Sequence, residues 1–401
     1  MTAPVRLLLV AASPVFYQTP LYQGLHADPR VDLTVVFASD AGVRPYDASF
    51  GGRLVVWDGN LLEGYRSEFL AAAGGNDVNA GFLGLRDWDV IGKVLRGPYD
   101  ALWVHGYAYL TLWLAMAAAA CRGLPVLLRE EQTLLHVRPW PKRWMRDVVL
   151  RLLCRRVYGL FIGSRNRAWF RHYGTPEERL YPTPYCVDNQ SLRRQAEELA
   201  GRRPELRAEF GIGDGDGPVI LFVGKLQEKK QPMLALEAFA RVRQRHRCAL
   251  LLVGEGPLEP ALRQRIEADQ IPDVHIAGFL NRDRIARAYG AGDVFVLPSG
   301  LHETFGLVVA EAMNFSLPVV VSDKVGCAPD LVRDGDNGFV VPHRDAGRLA
   351  AALERLVADP RLRRSAGRRS RDLVDGRRYE VAVDGIARAC QAAAARGPAR
   401  P

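Results

Sequence analysis

Cysteine is scarce in this chain of 401 residues, and the six present (Cys121, Cys154, Cys186, Cys248, Cys327, Cys390) form no Cys-x-x-Cys pair. That excludes a zinc knuckle and a dense disulfide framework, and it suits a reducing cytoplasm. Long apolar runs are missing as well. The first, residues 7–12, is too short for the core of a signal peptide and reads as a buried opening strand. The longest, residues 107–121, contains Thr111 and falls about one turn short of the roughly 17 to 20 residues that span a bilayer, so a buried helix is expected there. Lysine is rare too: of 54 basic residues only six are lysines, and three of those, Lys225, Lys229 and Lys230, fall within six positions. With 48% hydrophobic and 25% charged residues the chain is neither disordered, collagenous nor a coiled coil. Its length suits two domains of about 150 to 200 residues.

Among what is present, the net charge of +9 is unevenly spread. Between Arg138 and Arg171 ten basic residues face one acid, Asp147, so this window alone sums to +9. Short β-rich runs at 6–12, 31–38, 101–105, 125–129 and 159–163 alternate with amphipathic stretches, and the second half repeats the pattern at 219–224, 249–254, 274–277, 294–297 and 319–322. Continuous apolar strands separated by helices predict parallel sheets covered on both faces, here two Rossmann-like α/β domains. Between them, residues 189–218 turn polar and end in a glycine-rich run from Gly211 to Pro218, where a domain boundary is expected. The expected domains are 1–190 and 205–378, with a last helix near 379–396 returning to the first.

The most informative stretch runs from Ser299 to Met313, directly after the strand 294–297. Strand, short loop and apolar helix place the free N–H groups of the helix at the carboxyl end of a parallel sheet, where anions bind. Glu303 lies in the loop and Glu311 two turns into the helix, with no acid between them to occupy the first turn. The spacing alone proves little, since Glu197/Glu205 and Glu259/Glu267 share it, so the strand-loop-helix context carries the inference. A second motif, Gly224-Lys225-Leu226 with Lys230, closes the first strand of the second half. In a chain where arginine is the usual base, clustered lysines there suit phosphate. A third, Gly254-Glu255-Gly256, ends another strand without completing a dinucleotide fingerprint.

These residues resemble the retaining GT-B glycosyltransferases of family 4. Gly224-Lys225-Leu226 with Lys230 is similar to the family's diphosphate site, and Glu303 to Glu311 to its Glu-x7-Glu motif. Gly326, residues 330–332 and Gly335-Asp336-Asn337-Gly338 are similar to its downstream glycine run, and residues 13–22 and 184–189 to one branch of the family. The resemblance implies two Rossmann-like domains facing across a cleft. It implies Lys225 and Lys230 on the donor diphosphate and Glu303 on the transferred sugar. Thr304 and the backbone N–H groups of Phe305, Gly306 and Leu307 would meet phosphate and sugar, Glu311 the ribose hydroxyls, and Gly278-Phe279-Leu280 the base. His105, which ends a strand before Gly106, resembles the histidine that reaches toward the sugar; as a lone histidine it also fits a structural role. Gln18, Arg129, Glu130 and Glu131 are read as acceptor contacts. The chain departs from the family where Gln18-Thr19-Pro20 replaces a Gly-Gly loop, which puts the first domain's phosphate contact in question, and where Cys327 and Asp330 replace Gly and Glu.

The expected activity is transfer of a hexosyl group from a nucleotide sugar, read as UDP-linked, to an acceptor hydroxyl in glycan, glycolipid or metabolite synthesis, with retention. A sugar-nucleotide epimerase on the same fold and a non-catalytic nucleotide-sugar or glycan binder are the alternatives; the binder would need no Glu303. Nucleic acid is excluded as partner because stacking aromatics are sparse and no recognition module is present. Asp-x-Asp occurs at Asp87/Asp89, Asp214/Asp216 and Asp334/Asp336, but the last two are glycine-flanked turns, and with lysines to neutralise phosphate no cofactor or metal is expected. Finally, residues 140–157 read as a helix in which Trp140, Trp144, Val148 and Leu152 form one row and Met145, Val149 and Leu153 a second. The apolar rows fit packing on the first sheet. Basic residues beside interfacial tryptophans fit equally a peripheral contact with an anionic membrane, on the inner face for a cytoplasmic chain.

Overall fold

The computed structural model describes residues 3–44, 60–135, 140–213 and 215–395. The chain divides into two compact units, Met1–Tyr185 with Arg377–Pro401, and Cys186–Gly376. Each is built on a parallel sheet.

In the first unit the strands are β1 (Val5–Ala11), β2 (Val31–Phe37), β3 (Ser67–Phe69), β4 (Ala101–His105), β5 (Val126–Glu130), β6 (Tyr158–Phe161) and β7 (Leu180–Pro182). They lie in the order β3-β2-β1-β4-β5-β6-β7. Near-continuous apolar runs put β1 inside the sheet, buried on both faces, with Leu7 opposite Leu33 on one side and Ala101 on the other. The apolar run after β4 forms the helix Leu110–Arg122, ended by Gly123 in the left-handed region with φ 75°. The last helix, Tyr379–Ala395, packs on this sheet and on the helix Thr19–His26. Gly385 permits the contact, because a Cβ there would stand 1.9 Å from the carbonyl oxygen of Pro182.

In the second unit β8 (Val219–Val223), β9 (Ala249–Val253), β10 (Val274–Gly278), β11 (Val294–Leu297), β12 (Val319–Ser322) and β13 (Gly338–Val341) are ordered β10-β9-β8-β11-β12-β13. The polar stretch 189–218 holds two helices of this unit, Asn189–Glu198 and Arg203–Ala208. Asp188 caps the first by accepting from the Ser191 N–H at 2.9 Å. The second is tied to the sheet through Asp293, which pairs with Arg203 and Arg207 and accepts the Val219 N–H at 2.7 Å.

Both strand orders reverse direction beside the first strand, between β1 and β4 and between β8 and β11. At such a switch point the connections diverge, leaving a crevice at the carboxyl ends of the strands. No helix among the described residues is long and apolar enough to cross a membrane.

Candidate functional site

At the switch point of the second unit, Gly224 follows β8 and donates its N–H to the Val253 carbonyl at 2.9 Å. The aliphatic stem of Lys230 lies over it, 3.6 Å from where a Cβ would be. That stem carries the ammonium to Glu303, with Nζ 2.5 Å from Oε2, and only 6% of the Glu303 side chain is exposed. The Ser299 hydroxyl donates to the same oxygen at 3.0 Å, and the Ser322 hydroxyl in turn donates to the Ser299 carbonyl. A carboxylate so far from water needs both partners, since an unpaired buried charge is costly.

The backbone around Glu303 is fixed from the next loop. Its carbonyl accepts the Gly326 N–H at 3.0 Å, and the Phe305 carbonyl accepts the Cys327 N–H at 2.9 Å. Gly306, with φ 92°, then turns the chain into the helix Leu307–Asn314. That helix has neither a side-chain cap nor an acid in its first turn, so its leading N–H groups stand at the carboxyl edge of the sheet with the dipole favouring an anion. Phe305 is buried, while Thr304 and Leu307 are half-buried. Glu311, half-buried, accepts from the Tyr289 hydroxyl at 2.6 Å. Tyr289 is wholly buried, and burial chiefly, with the Glu311 charge adding to it, holds its phenol well above the usual range.

The same rim continues along the sheet. Lys225 is half-buried just beyond β8, and Leu280 is buried just beyond β10 beside exposed Phe279. Gly254 and Gly256, at the end of β9, are approached closely by their own neighbours. A Cβ at 254 would stand 2.1 Å from the Gly224 carbonyl oxygen, and one at 256 would stand 2.4 Å from that of Leu226. The predicted residues of the second unit thus lie at the carboxyl ends of its strands, with Lys230 and Glu303 in direct contact. Sequence reasoning missed Tyr289 and Ser322, which only the folded arrangement brings to the two glutamates.

In the first unit Gln18 and Arg129 meet each other. Both are buried, with Arg129 Nη1 donating to Gln18 Oε1 at 2.8 Å and its guanidinium 4.9 Å from the Tyr185 ring centre. Gln18 Nε2, equally buried, has no hydrogen-bond partner among the described residues. At the ends of β4 and β5, His105 Nε2 lies 3.6 Å from Glu131 Oε1. Burial lowers the His105 pKa, the Arg129 charge adding to that and Glu131 opposing it.

Glu130 is buried, and one oxygen accepts the Glu131 N–H at 2.9 Å. Desolvation pushes its carboxyl up to about 8 from an ordinary 4.5. Folding therefore favours the protonated form. The stability this group contributes is whole below pH 4.5 and is lost as pH rises to about 8, at about 1.4 kcal/mol per unit. Glu130→Gln is expected to flatten the fall of Tm between pH 5 and pH 8 and to leave the variant more stable than the parent at pH 8. A slope equal to the parent's would remove the assignment.

The described aspartates of the Asp-x-Asp matches have partners within the protein. Asp87 accepts N–H groups from Ala72 at 2.7 Å and Asp89 at 3.1 Å. Asp334 accepts the Val340 N–H at 2.9 Å, and Asp336 pairs with Arg369. Asp216 accepts the Gly213 N–H at 2.6 Å, while Asp214 lies outside the described residues. Among the described residues no group of three or more His, Cys, Asp or Glu is placed to hold a metal ion.

Residues 140–154 do form a helix, Trp140–Cys154, but its first apolar row does not pack on the sheet: Trp144, Val148 and Leu152 are exposed, as are Met145 and Val149 of the second row. Leu150 and Cys154 face inward instead. Arg138 and the side chains of Trp140, Lys142 and Arg143 lie outside the described residues.

The sequence model of the family described as Glycosyl transferases group 1 matches residues 203–373. An alpha-D-kanosaminyltransferase of Streptomyces kanamyceticus is 35% identical over 47% of this chain, and the chain spans about half of that relative's length, 47%. A D-inositol 3-phosphate glycosyltransferase of Thermobifida fusca is 32% identical over 73% of this chain and 69% of its own. Among solved structures, Anabaena Alr3699/HepE in complex with UDP aligns with a TM-score of 0.72 at 19% identity, over 97% of this chain and 100% of that one.

Proposed function

Since the chain belongs to the glycosyl transferases group 1 family, with the two Rossmann-like domains of the GT-B fold, we propose that it moves a hexosyl group from a UDP-sugar to an acceptor hydroxyl with retention of configuration. The observation that carries the reading is the Lys230–Glu303 contact at the switch point of the second sheet, beside a helix start without an acid of its own. Lys225, Lys230 and the N–H groups of Phe305, Gly306 and Leu307 would hold the diphosphate. Glu303 and Thr304 would meet the sugar, Glu311 the ribose diol, and Leu280 the base. As the bond from the anomeric carbon to the phosphate oxygen breaks, negative charge grows on the diphosphate, where fixed cations and amide dipoles stabilise it most. The acceptor oxygen bonds to the same face of that carbon, and its proton passes to the departing phosphate. In the first unit His105 is read as the side chain for the sugar, and Gln18, Arg129, Glu130 and Glu131 as those for the acceptor. No metal enters the scheme, because the lysines supply the positive charge. The uridine base draws support from the UDP named for the Anabaena neighbour.

A panel of nucleotide sugars tests this. The true donor, at a hundredfold excess over its Kd, is expected to stabilise the folded chain by about 2.7 kcal/mol, read as a rise in Tm. Its slow hydrolysis separates a transferase from a binder, and turnover should persist in EDTA. If no nucleotide sugar raises Tm or is hydrolysed, the reading fails.

A further inference from the structure

The helix Trp140–Cys154 shows solvent the face that a globular unit ordinarily buries. Leu150 and Cys154 are 1% and 0% exposed, whereas Trp144 is 68%, Met145 64% and Leu152 53% exposed. At about 100° per residue, these exposed positions with Val148 and Val149 cover one unbroken apolar arc. A patch of this kind on a soluble surface marks an interaction site.

Charge decides the partner. The single acid of the window 138–171, Asp147, is turned inward, bonded to Arg146 at 3.1 Å and to the Tyr173 hydroxyl at 2.8 Å. Arg151, Arg155 and Arg156 are exposed. Among the described residues of the helix, the exposed ones are therefore apolar or cationic. Two copies meeting through it would set like charges against each other, and an anionic surface would not. With 15 residues, hence about 22 Å at 1.5 Å per residue, the helix is too short to span a bilayer and suits lying along one.

We propose that this face docks in the plane of an anionic lipid bilayer, with Trp144, Met145, Val148, Val149 and Leu152 at the headgroup boundary and Arg151 and Arg155 on lipid phosphates. Its bearing on the acceptor rests on the transferase reading: an enzyme held this way draws an acceptor carried on a lipid or on an envelope glycan. Docking itself is independent of that reading.

Co-sedimentation of the full chain with vesicles tests it. Binding is expected on phosphatidylcholine vesicles containing phosphatidylglycerol, and it should weaken at least tenfold on pure phosphatidylcholine or at about 0.5 M added salt, where the Debye length falls to several ångströms. Arg151→Gln with Arg155→Gln should weaken it about thirtyfold, about 1 kcal/mol for each cation removed. Trp144→Gln with Leu152→Gln should abolish it. Both variants should keep the Tm of the parent, since all four side chains are exposed. Absent or salt-insensitive binding, or variants that bind as the parent does, overturns the proposal. So does a concentration-dependent dimer lost in the Trp144/Leu152 variant without vesicle binding, which would give the face to a second copy. Failure here leaves the donor assays untouched, and failure of the donor assays leaves vesicle binding untouched.

Discussion

Lys230→Ala is expected to lower kcat/KM for the nucleotide sugar by about two to three decades, the scale on which one preorganised group stabilises developing charge. Two losses combine. The diphosphate loses a cation, and Glu303, whose side chain is 6% exposed, loses the ammonium at 2.5 Å and keeps only the Ser299 hydroxyl at 3.0 Å. An uncompensated carboxylate so buried destabilises the fold as well, by about 3 to 5 kcal/mol, so Tm should drop. The double variant Lys230→Ala with Glu303→Gln separates the two, because removing the orphaned charge should restore Tm while activity stays low. Steady-state kinetics and a thermal melt are sufficient, and an unchanged kcat/KM in the single variant would sink the role given to Lys230.

Gly326→Ala is expected to be as damaging without touching any charged group. A Cβ at 326 would stand 1.8 Å from the Thr304 carbonyl oxygen, 2.4 Å from its carbon and 2.9 Å from the Phe305 Cα. All three atoms are backbone, so none can swing aside, and the stretch from Glu303 to Phe305 must move by an ångström or more. That stretch aims Glu303 and starts the helix, and a misplacement of about 1 Å costs about a hundredfold in rate. Overpacking of this kind also costs about 1 to 3 kcal/mol of stability. Gly376→Ala is the control, since the nearest atom to a Cβ there is 3.8 Å away, and its stability should stay within about 0.5 kcal/mol of the parent's. Equal melts and equal turnover for both variants would show that the loop yields more easily than its contacts suggest.

Ten of the thirteen strands are legible as apolar runs; nine of them are central strands of a parallel sheet, which are buried on both faces, and the tenth, β10, is a half-buried edge strand. The three that escape, β3, β7 and β13, are all edge strands of three or four residues. The site follows the same division. Lys230 and Glu303 stand out because lysine is rare and because a loop acid sits between strand and helix. Tyr289 does not, since one tyrosine in the helix Arg282–Ala291 looks like any other core aromatic until the fold sets it on Glu311. The departure at Cys327 also acquires a reason: a buried thiol fits there, 3.9 Å from the Gly306 carbonyl, whereas position 326 leaves no room for even a methyl group. For the helix Trp140–Cys154, periodicity finds the apolar rows and cannot say whether sheet or solvent lies opposite. Burial of Leu150 and Cys154 is what points the rows outward.

The return of the last helix to the first sheet bears on how this molecule can be taken apart. Residues 186–376 are a contiguous stretch of the reading frame, so the second unit is available to an experimenter as one uninterrupted clone. The first unit is not. Expressed to residue 185 alone, it would leave the surface that receives Ala382, Ile386 and Ala389 open to water. An isolated first unit therefore requires residues 377–395 to be rejoined by a linker or supplied as a separate peptide, and the same geometry makes the pair a natural point at which to split the chain for reconstitution.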